Sequence, residues 1–292
     1  MTDIRNLKLL VSLARHEHFS RAADDCGISQ PAFSARIRKM EDDFSIPIVR
    51  RGNRFLGFTR EGEVVLKWAR RLIRDTDGMR QEIDALRGRL HGKLVVGTVP
   101  TALPFAASVS SRLRETHPNL SLELQSLSSK QIENRLNDYS LDAGITYFSD
   151  SDPDCTEALY DEKYVLLAPE SMAPRASGKA TWAEAAALPL CLLTPDMRNR
   201  QFLNQTFLSI GATPSVVMEA NGFIAVLVQV ASENAATIAP KAVAETYFTA
   251  PTTVELELVD PIVTQEIGLS IKEQSPVSPI ITAFRGAVHR SL

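Results

Sequence analysis

The stretch FSRAADDCGISQPAFSARIRKME, residues 19–41, reads as two helices about a tight turn, and its spacing alone writes out a buried and an exposed face. In the second helix Phe33, Ile37, Met40 and Phe44 recur at i, i+4, i+7 and i+11, one apolar stripe that can pack inward. Ala22, Ala23 and Cys26 supply the facing side. Gly27 stands where the chain must turn sharply and Ile28 tucks under the turn. Ser29 can cap the second helix, with Pro31 in the first turn, where a missing N–H costs nothing. With a step of about 100° per residue, a core at Phe33 sends Pro31, Ser34, Ala35 and Arg38 to the opposite side. Those are the side chains a major groove would meet. An ordinary helical hairpin is the commoner structure, but the Gly-containing turn, the cap, the small crossing residues and the basic residues beyond them agree in favouring DNA.

Working outward, residues 50–60 (RRGNRFLGFTR) set Arg50, Arg51, Arg54 and Arg60 among Gly52, Asn53 and Gly57. This predicts a short hairpin wing whose arginines lie near phosphates, fixing register without reading sequence. A solvated basic loop is the plain alternative. Thr59 then caps a long helix with apolar positions at Val65, Ala69, Leu72, Thr76, Met79, Ile83, Leu86 and Leu90, spaced alternately four and three apart. A heptad seam of that length predicts a coiled coil, with Trp68 and Ile73 widening the stripe. Gly78, Gly88 and Thr76 make the pairing moderate.

A chain of 292 residues with 44% hydrophobic content suits about two domains with sizeable cores. The overall charge of −3 is unevenly spread: residues 1–91 hold 18 Lys and Arg against 13 Asp and Glu, the remainder 14 against 22. A nucleic-acid surface therefore belongs to the N-terminal third. No apolar run is long enough for a membrane span and no signal pattern opens the chain, so a cytoplasmic protein without a membrane partner is expected. Cys26, Cys155 and Cys191 are odd in number and unclustered, against a disulfide framework. His16, His18, His91, His117 and His289 are too scattered for a metal site, and G-x-S-x-G, P-loop, G-x-G-x-x-G and H-E-x-x-H patterns are all lacking. The sequence thus predicts neither an enzyme nor a cofactor or metal site.

After His91, Gly92 and Lys93 the period changes. Strands near residues 93–97, 120–124 and 141–145 alternate with helices at 103–117 and 130–137, and a second set runs from Tyr164 to Tyr247. Strands near 254–258 and 266–271 and a helix at 278–289 close the chain. This order predicts a mostly parallel, wrapped sheet in two lobes, 92–160 with 265–292 and 161–264, joined by two crossings. Paired lobes bind small ligands in their cleft, at strand ends and helix starts. The candidates there are Thr98, Thr101, Ser128, Ser129, Tyr147, Thr194 and Asn221. Helix starts suit an anion, whose carboxylate Arg198 and Arg200 could also pair with. Simple helix capping explains any one of these hydroxyls equally well.

The N-terminal ninety residues resemble the LysR-type transcriptional regulators. The pattern runs through Phe19, Ser20, Ala22 and Ala23, the run Ser29, Gln30, Pro31 and Ala32, then Ser34, Ile37, Glu41, Arg51, Thr59 and Gly62. The resemblance implies an α plus α/β protein: a winged helix-turn-helix at 1–58, a dimerising coiled-coil linker helix at 59–91, and at 92–292 a two-lobe effector-binding domain of the periplasmic-binding-protein type. It implies promoter DNA, a small-molecule effector, RNA polymerase and further copies of the chain, as homodimer or homotetramer, as partners. The DNA-binding residues it implies are Ser29, Gln30, Pro31, Ser34, Ala35, Arg36, Arg38, Arg50, Arg51 and Arg54. Thr101 and Ser129 match positions that hydrogen-bond effectors in the family, and family architecture, not spacing, converges the other hydroxyls on one cleft.

Several positions depart from the family pattern. Ala35 replaces the usual Arg, which could fork onto guanine, by a methyl group that can only touch a thymine methyl. Ile48, Val49 and Cys26 are core swaps, and Ala231 to Asn234 replace a Gly-containing turn along the cleft wall. The competing reading is a cytosolic two-lobe small-molecule-binding protein or enzyme whose N-terminal helices do not bind DNA.

Overall fold

A computed structural model of the chain describes residues 3–50, 55–148, 155–174, 178–247, 251–272 and 276–292. It comprises two compact units, one built on Met1–Leu90 and one on His91–Leu292 apart from two short stretches.

The first unit is α1 (Ile4–His16), α2 (Phe19–Asp25), α3 (Gln30–Phe44) and α4 (Arg60–Leu86). Ser29 caps α3 as its spacing predicts, accepting the Ala32 N–H, and Thr59 caps α4 by accepting from Gly62 at 2.9 Å. Gly27 has φ +65, the left-handed conformation the turn requires. Phe33, Ile37 and Met40 are buried against Leu10, Leu13, Ala22 and Ala23. Phe44 is not: it is 42% exposed, because α3 ends there with Ser45 in the left-handed region, past the edge of the core. The hairpin after α3 is marked by a Val49–Phe58 antiparallel bridge and by Arg50 N–H donating to Gly57 O. Glu41 Oε1 ties it back by accepting the N–H groups of Ile48 (2.9 Å) and Val49 (3.2 Å).

The apolar positions of α4 do not form one seam. Leu66 and Ala69 are buried and Val65 and Ile73 half-buried in the core of this unit. Val64, Trp68, Leu72, Met79, Ile83 and Leu86 are exposed, and at about 100° per residue they fall within roughly a quarter turn of one another. The expected seam therefore splits, its first positions serving the helix's own domain.

The second unit begins with β1 (Gly92–Thr98), a 3-10 turn (Pro100–Ala102), α5 (Leu103–Thr116), β2 (Leu120–Ser126), α6 (Ser129–Asn137) and β3 (Ala143–Tyr147). A long strand β4 (Cys155–Pro169) follows, then β5 (Lys179–Thr181), α7 (Trp182–Ala186), β6 (Pro189–Leu193), α8 (Arg198–Ser209), β7 (Ser215–Ala220) and α9 (Phe223–Ala231). The remaining elements are β8 (Thr237–Pro240), α10 (Lys241–Tyr247), β9 (Thr253–Val259), β10 (Thr264–Ser270) and α11 (Pro279–His289). One sheet runs β2-β1-β3-β10-β4-β9-β5 with β8 also on β4, and β6 pairs β7.

The sheet is less parallel than the alternating pattern suggests. β1–β2, β1–β3, β5–β9 and β6–β7 are parallel, but every pairing of β4 or β10 described is antiparallel. Through Lys163, β4 pairs with β10; from Tyr164 it pairs with β8 and β9. One strand thus belongs to both lobes, and the chain returns between them from β9 to β10. Two cores fill the second lobe, the larger closed by Trp182 edge-on to Phe207 at 5.4 Å. Among the described residues no helix is long and apolar enough to cross a membrane, and no group of His, Cys, Asp and Glu could hold a metal.

Candidate nucleic-acid interface and ligand cleft

The exposed face of α3 is the one its sequence predicts. Pro31, Ala35 and Arg38 are exposed and Ser34 half-buried, opposite a face on which Phe33, Ile37 and Met40 are almost wholly buried; Gln30 is exposed as the first residue of the helix. Ser29 spends its hydroxyl on the cap. Arg36 lies on the flank of α3 and lines a groove of about 440 Å³ together with Arg5, Lys8 and Arg15 of α1. Arg50 is exposed at the start of the hairpin, whereas Arg51 and Arg54 lie outside the described residues.

In the second unit the expected hydroxyls divide. Thr98 is fully buried and donates to Val99 O. Ser128 accepts the Gln131 N–H while its own N–H donates to Gln131 Oε1, a capping arrangement at the start of α6. Ser129 accepts from Thr146 at 3.0 Å. Thr146 and Tyr147 are neighbours on β3 with side chains to opposite faces, so Ser129 and Thr101 share no hydrogen bond. Thr194 is half-buried, and its N–H joins the ends of β6 and β7 through Ala220 O. Arg198 and Asn221 are exposed. Arg200 is 7% exposed, and its guanidinium donates to Glu219 Oε1 (2.8 Å), Leu193 O (2.9 Å) and Asn204 Oδ1 (2.9 Å). Three acceptors of its own lobe thus already hold the guanidinium.

The hydroxyls that do converge are Thr101 and Tyr147, whose oxygens lie 3.0 Å apart, and they meet three residues that sequence reasoning missed. Glu162, 3% exposed, sits on β4 one residue before the end of its pairing with β10. Its Oε2 accepts from Tyr147 and from Tyr164, each at 3.3 Å. Tyr147 comes from the first lobe and Tyr164 from the part of β4 in the second, so this carboxyl is held from both. Glu162 Oε1 has no partner among the described residues, and neither has the buried amide of Asn199 at the start of α8. That amide is near enough to the Tyr164 hydroxyl to act on it, without a hydrogen bond of ordinary geometry. Leaving such groups buried and unpaired costs about 1–3 kcal/mol each.

Burial pushes the Glu162 carboxyl up to about 7; the hydroxyls of Thr101, Tyr147 and Tyr164 oppose the shift without cancelling it. The same desolvation, reinforced by the Glu162 charge, raises Tyr147 and Tyr160; it also raises Tyr164, with Tyr147 and Glu162 adding to the rise. Alternation along YDEKY (160–164) would have placed Tyr160, Glu162 and Tyr164 on one face, but a run of charges ordinarily reads as solvated. An ionised Glu162 also opposes the anion that the hydroxyls and helix starts had suggested. Cys26 is half-buried and Cys191 buried, both free thiols, and burial pushes the Cys191 thiol up.

Comparison with known proteins matches both units. Residues 4–63 match the family described as "Bacterial regulatory helix-turn-helix protein, lysR family" and residues 87–292 the "LysR substrate binding domain". The "Hydrogen peroxide-inducible genes activator" of Pectobacterium carotovorum subsp. carotovorum is 32% identical over 166 residues, 56% of this chain and 55% of that protein. The chain thus spans about half the length of the curated relatives it matches first. A full-length OxyR variant from Pseudomonas aeruginosa, carrying one cysteine substitution, superposes with a TM-score of 0.79 at 21% identity, over 99% of this chain and 98% of that one. Full-length CbnR complexed with its target DNA superposes at 0.71 and 20%, over all of both chains. At such identities the structures speak for the fold, and the family rests on the sequence matches: the chain belongs to the LysR family of bacterial regulatory proteins.

Proposed function

We propose that this chain is a cytoplasmic transcriptional regulator that binds promoter DNA as a homo-oligomer and is switched by a small molecule held between the lobes of its second unit. The observation that carries the DNA half is α3: a capped helix with one face wholly in the core, Pro31, Ala35 and Arg38 exposed on the other and Gln30 exposed at its start, beside a basic hairpin. Docked in the major groove, that face meets base edges while Arg50, Arg51 and Arg54 meet phosphates. CbnR, of the same fold, is known in complex with its target DNA, which supports this docking. The exposed stripe Val64, Trp68, Leu72, Met79, Ile83 and Leu86 on α4 supports pairing with a second copy, as dimer and then tetramer, and RNA polymerase is the further partner this reading implies. No catalytic step is assigned to the chain.

The ligand half rests on the buried group of Thr101, Tyr147, Glu162 and Tyr164, which draws on both lobes and so can report how they close. Selection of duplexes from a randomised library by the full chain tests the reading: an enriched two-fold-symmetric site is expected. Equal retention of every sequence would contradict it.

A further inference from the structure

We propose that the cleft selects an effector carrying an amino group, which donates to the free carboxylate oxygen of Glu162. The inference rests on the cleft being the effector site and adds the class of molecule. Glu162 is asymmetric: Oε2 takes two phenolic donors, and Oε1, buried, takes none among the described residues. Among the described residues the groups acting on Glu162 are hydroxyls, Thr101 of the 3-10 turn, Tyr147 of β3 and Tyr164 of β4, with the Tyr160 phenol of β4 nearby, and no cation is among them. A buried carboxylate is stable only when paired and hydrogen-bonded. An ammonium supplies both a charge and up to three donors, whereas a carboxylate ligand would add a second negative charge. Asn199 in the second lobe, with its donor and acceptor both unpartnered, offers the next contact. Rings back the group, Tyr160 packing on Phe105 at 5.0 Å and Tyr164 on Phe202 at 5.1 Å, which keeps the carboxyl in apolar surroundings.

The test is calorimetry on the full chain with four matched probes: putrescine, 4-aminobutyrate, succinate and 1,4-butanediol. The expected result at about pH 8 is binding of at least one amine-bearing probe, about tenfold or more tighter than succinate or the diol. Glu162→Gln should weaken that binding about tenfold. On the unaltered protein, lowering the pH to about 6 should weaken it as well, because the carboxyl held near 7 then takes up its own proton. This second arm needs no variant to fold. Tighter binding of succinate or the diol, no binding of either amine, or amine binding that neither Glu162→Gln nor pH changes overturns the assignment. Glu162-dependent amine binding that leaves duplex affinity unmoved would support the ligand class and remove the regulatory role of the cleft.

Discussion

Tyr147, the last residue of β3 in the first lobe, donates its phenolic proton to Glu162 on the strand that carries the chain into the second, at 3.3 Å. A carboxyl at a lobe crossing is thereby tied to the group that holds it, and its proton is coupled to the stability of the fold. Folded, the carboxyl is raised to about 7; unfolded it returns to its ordinary value near 4.5. The folded state therefore holds the proton more tightly, and this contribution is fully present below about pH 4.5 and lost as pH rises through about 7. At about 1.4 kcal/mol per unit the loss amounts to roughly 3 kcal/mol. Denaturant unfolding between about pH 5 and pH 8 checks it: Glu162→Gln should flatten the profile and be the more stable form at the alkaline end.

The exposed stripe on α4 predicts a specific effect on assembly. Leu72, 44% exposed, and Ile83, 45% exposed, lie on it, so neither is needed for the helix's own domain core. Leu72→Glu or Ile83→Glu should leave unfolding of the single chain nearly unchanged and cost a paired helix several kcal/mol by burying an uncompensated charge. Sedimentation should show monomers; an intact dimer for either variant would reassign the stripe.

Glu41 joins α3 and the hairpin through two N–H groups. Glu41→Ala would strip the buried Ile48 and Val49 amides of that acceptor, a cost of about 2–4 kcal/mol read by denaturant unfolding. Gly62→Ala should be as severe, since a Cβ there would stand 2.0 Å from Ile48 O, and the carbonyl it meets is fixed by Thr59 N–H.

On DNA, Gln30→Ala and Arg50→Ala should differ in kind. Loss of Gln30 should change preference at particular base pairs by roughly 1–3 kcal/mol, with nonspecific affinity kept. Removing the Arg50 charge should weaken specific and random duplexes alike and lower the slope of log affinity against log salt by about one. A reversed pattern would place the hairpin, rather than α3, against the bases.

Much of this was legible because it is local. The stripe Phe33, Ile37, Met40, the cap at Ser29 and the turn at Gly27 depend on residues within one helix-turn-helix, and the structure keeps them all. Phe44 escaped because periodicity continues past the point where the core ends. Along the α4 stripe the period does not say where the helix's own domain stops covering it: Val65 and Ala69 pack inward, whereas Leu72 and Ile83 stay exposed. Strand β4 was legible only from Tyr164 onward, since Asp161, Glu162 and Lys163 interrupt its apolar run. Two of the hydroxyls that hold Glu162 come from Thr101 and Tyr147, distant in sequence, and no local pattern announces such partners. The antiparallel crossings escaped for the same reason.

The central claim is that the first unit reads DNA and the cleft of the second governs that reading. Duplex affinity of the full chain for its own selected site, titrated with and without the probe found to bind the cleft, tests it most directly. The account predicts specific binding well above that for random duplex, a shift of about fivefold or more on adding the probe, and loss of that shift in Glu162→Gln. Specific binding that no cleft ligand moves, or no preference for any duplex at all, would contradict it.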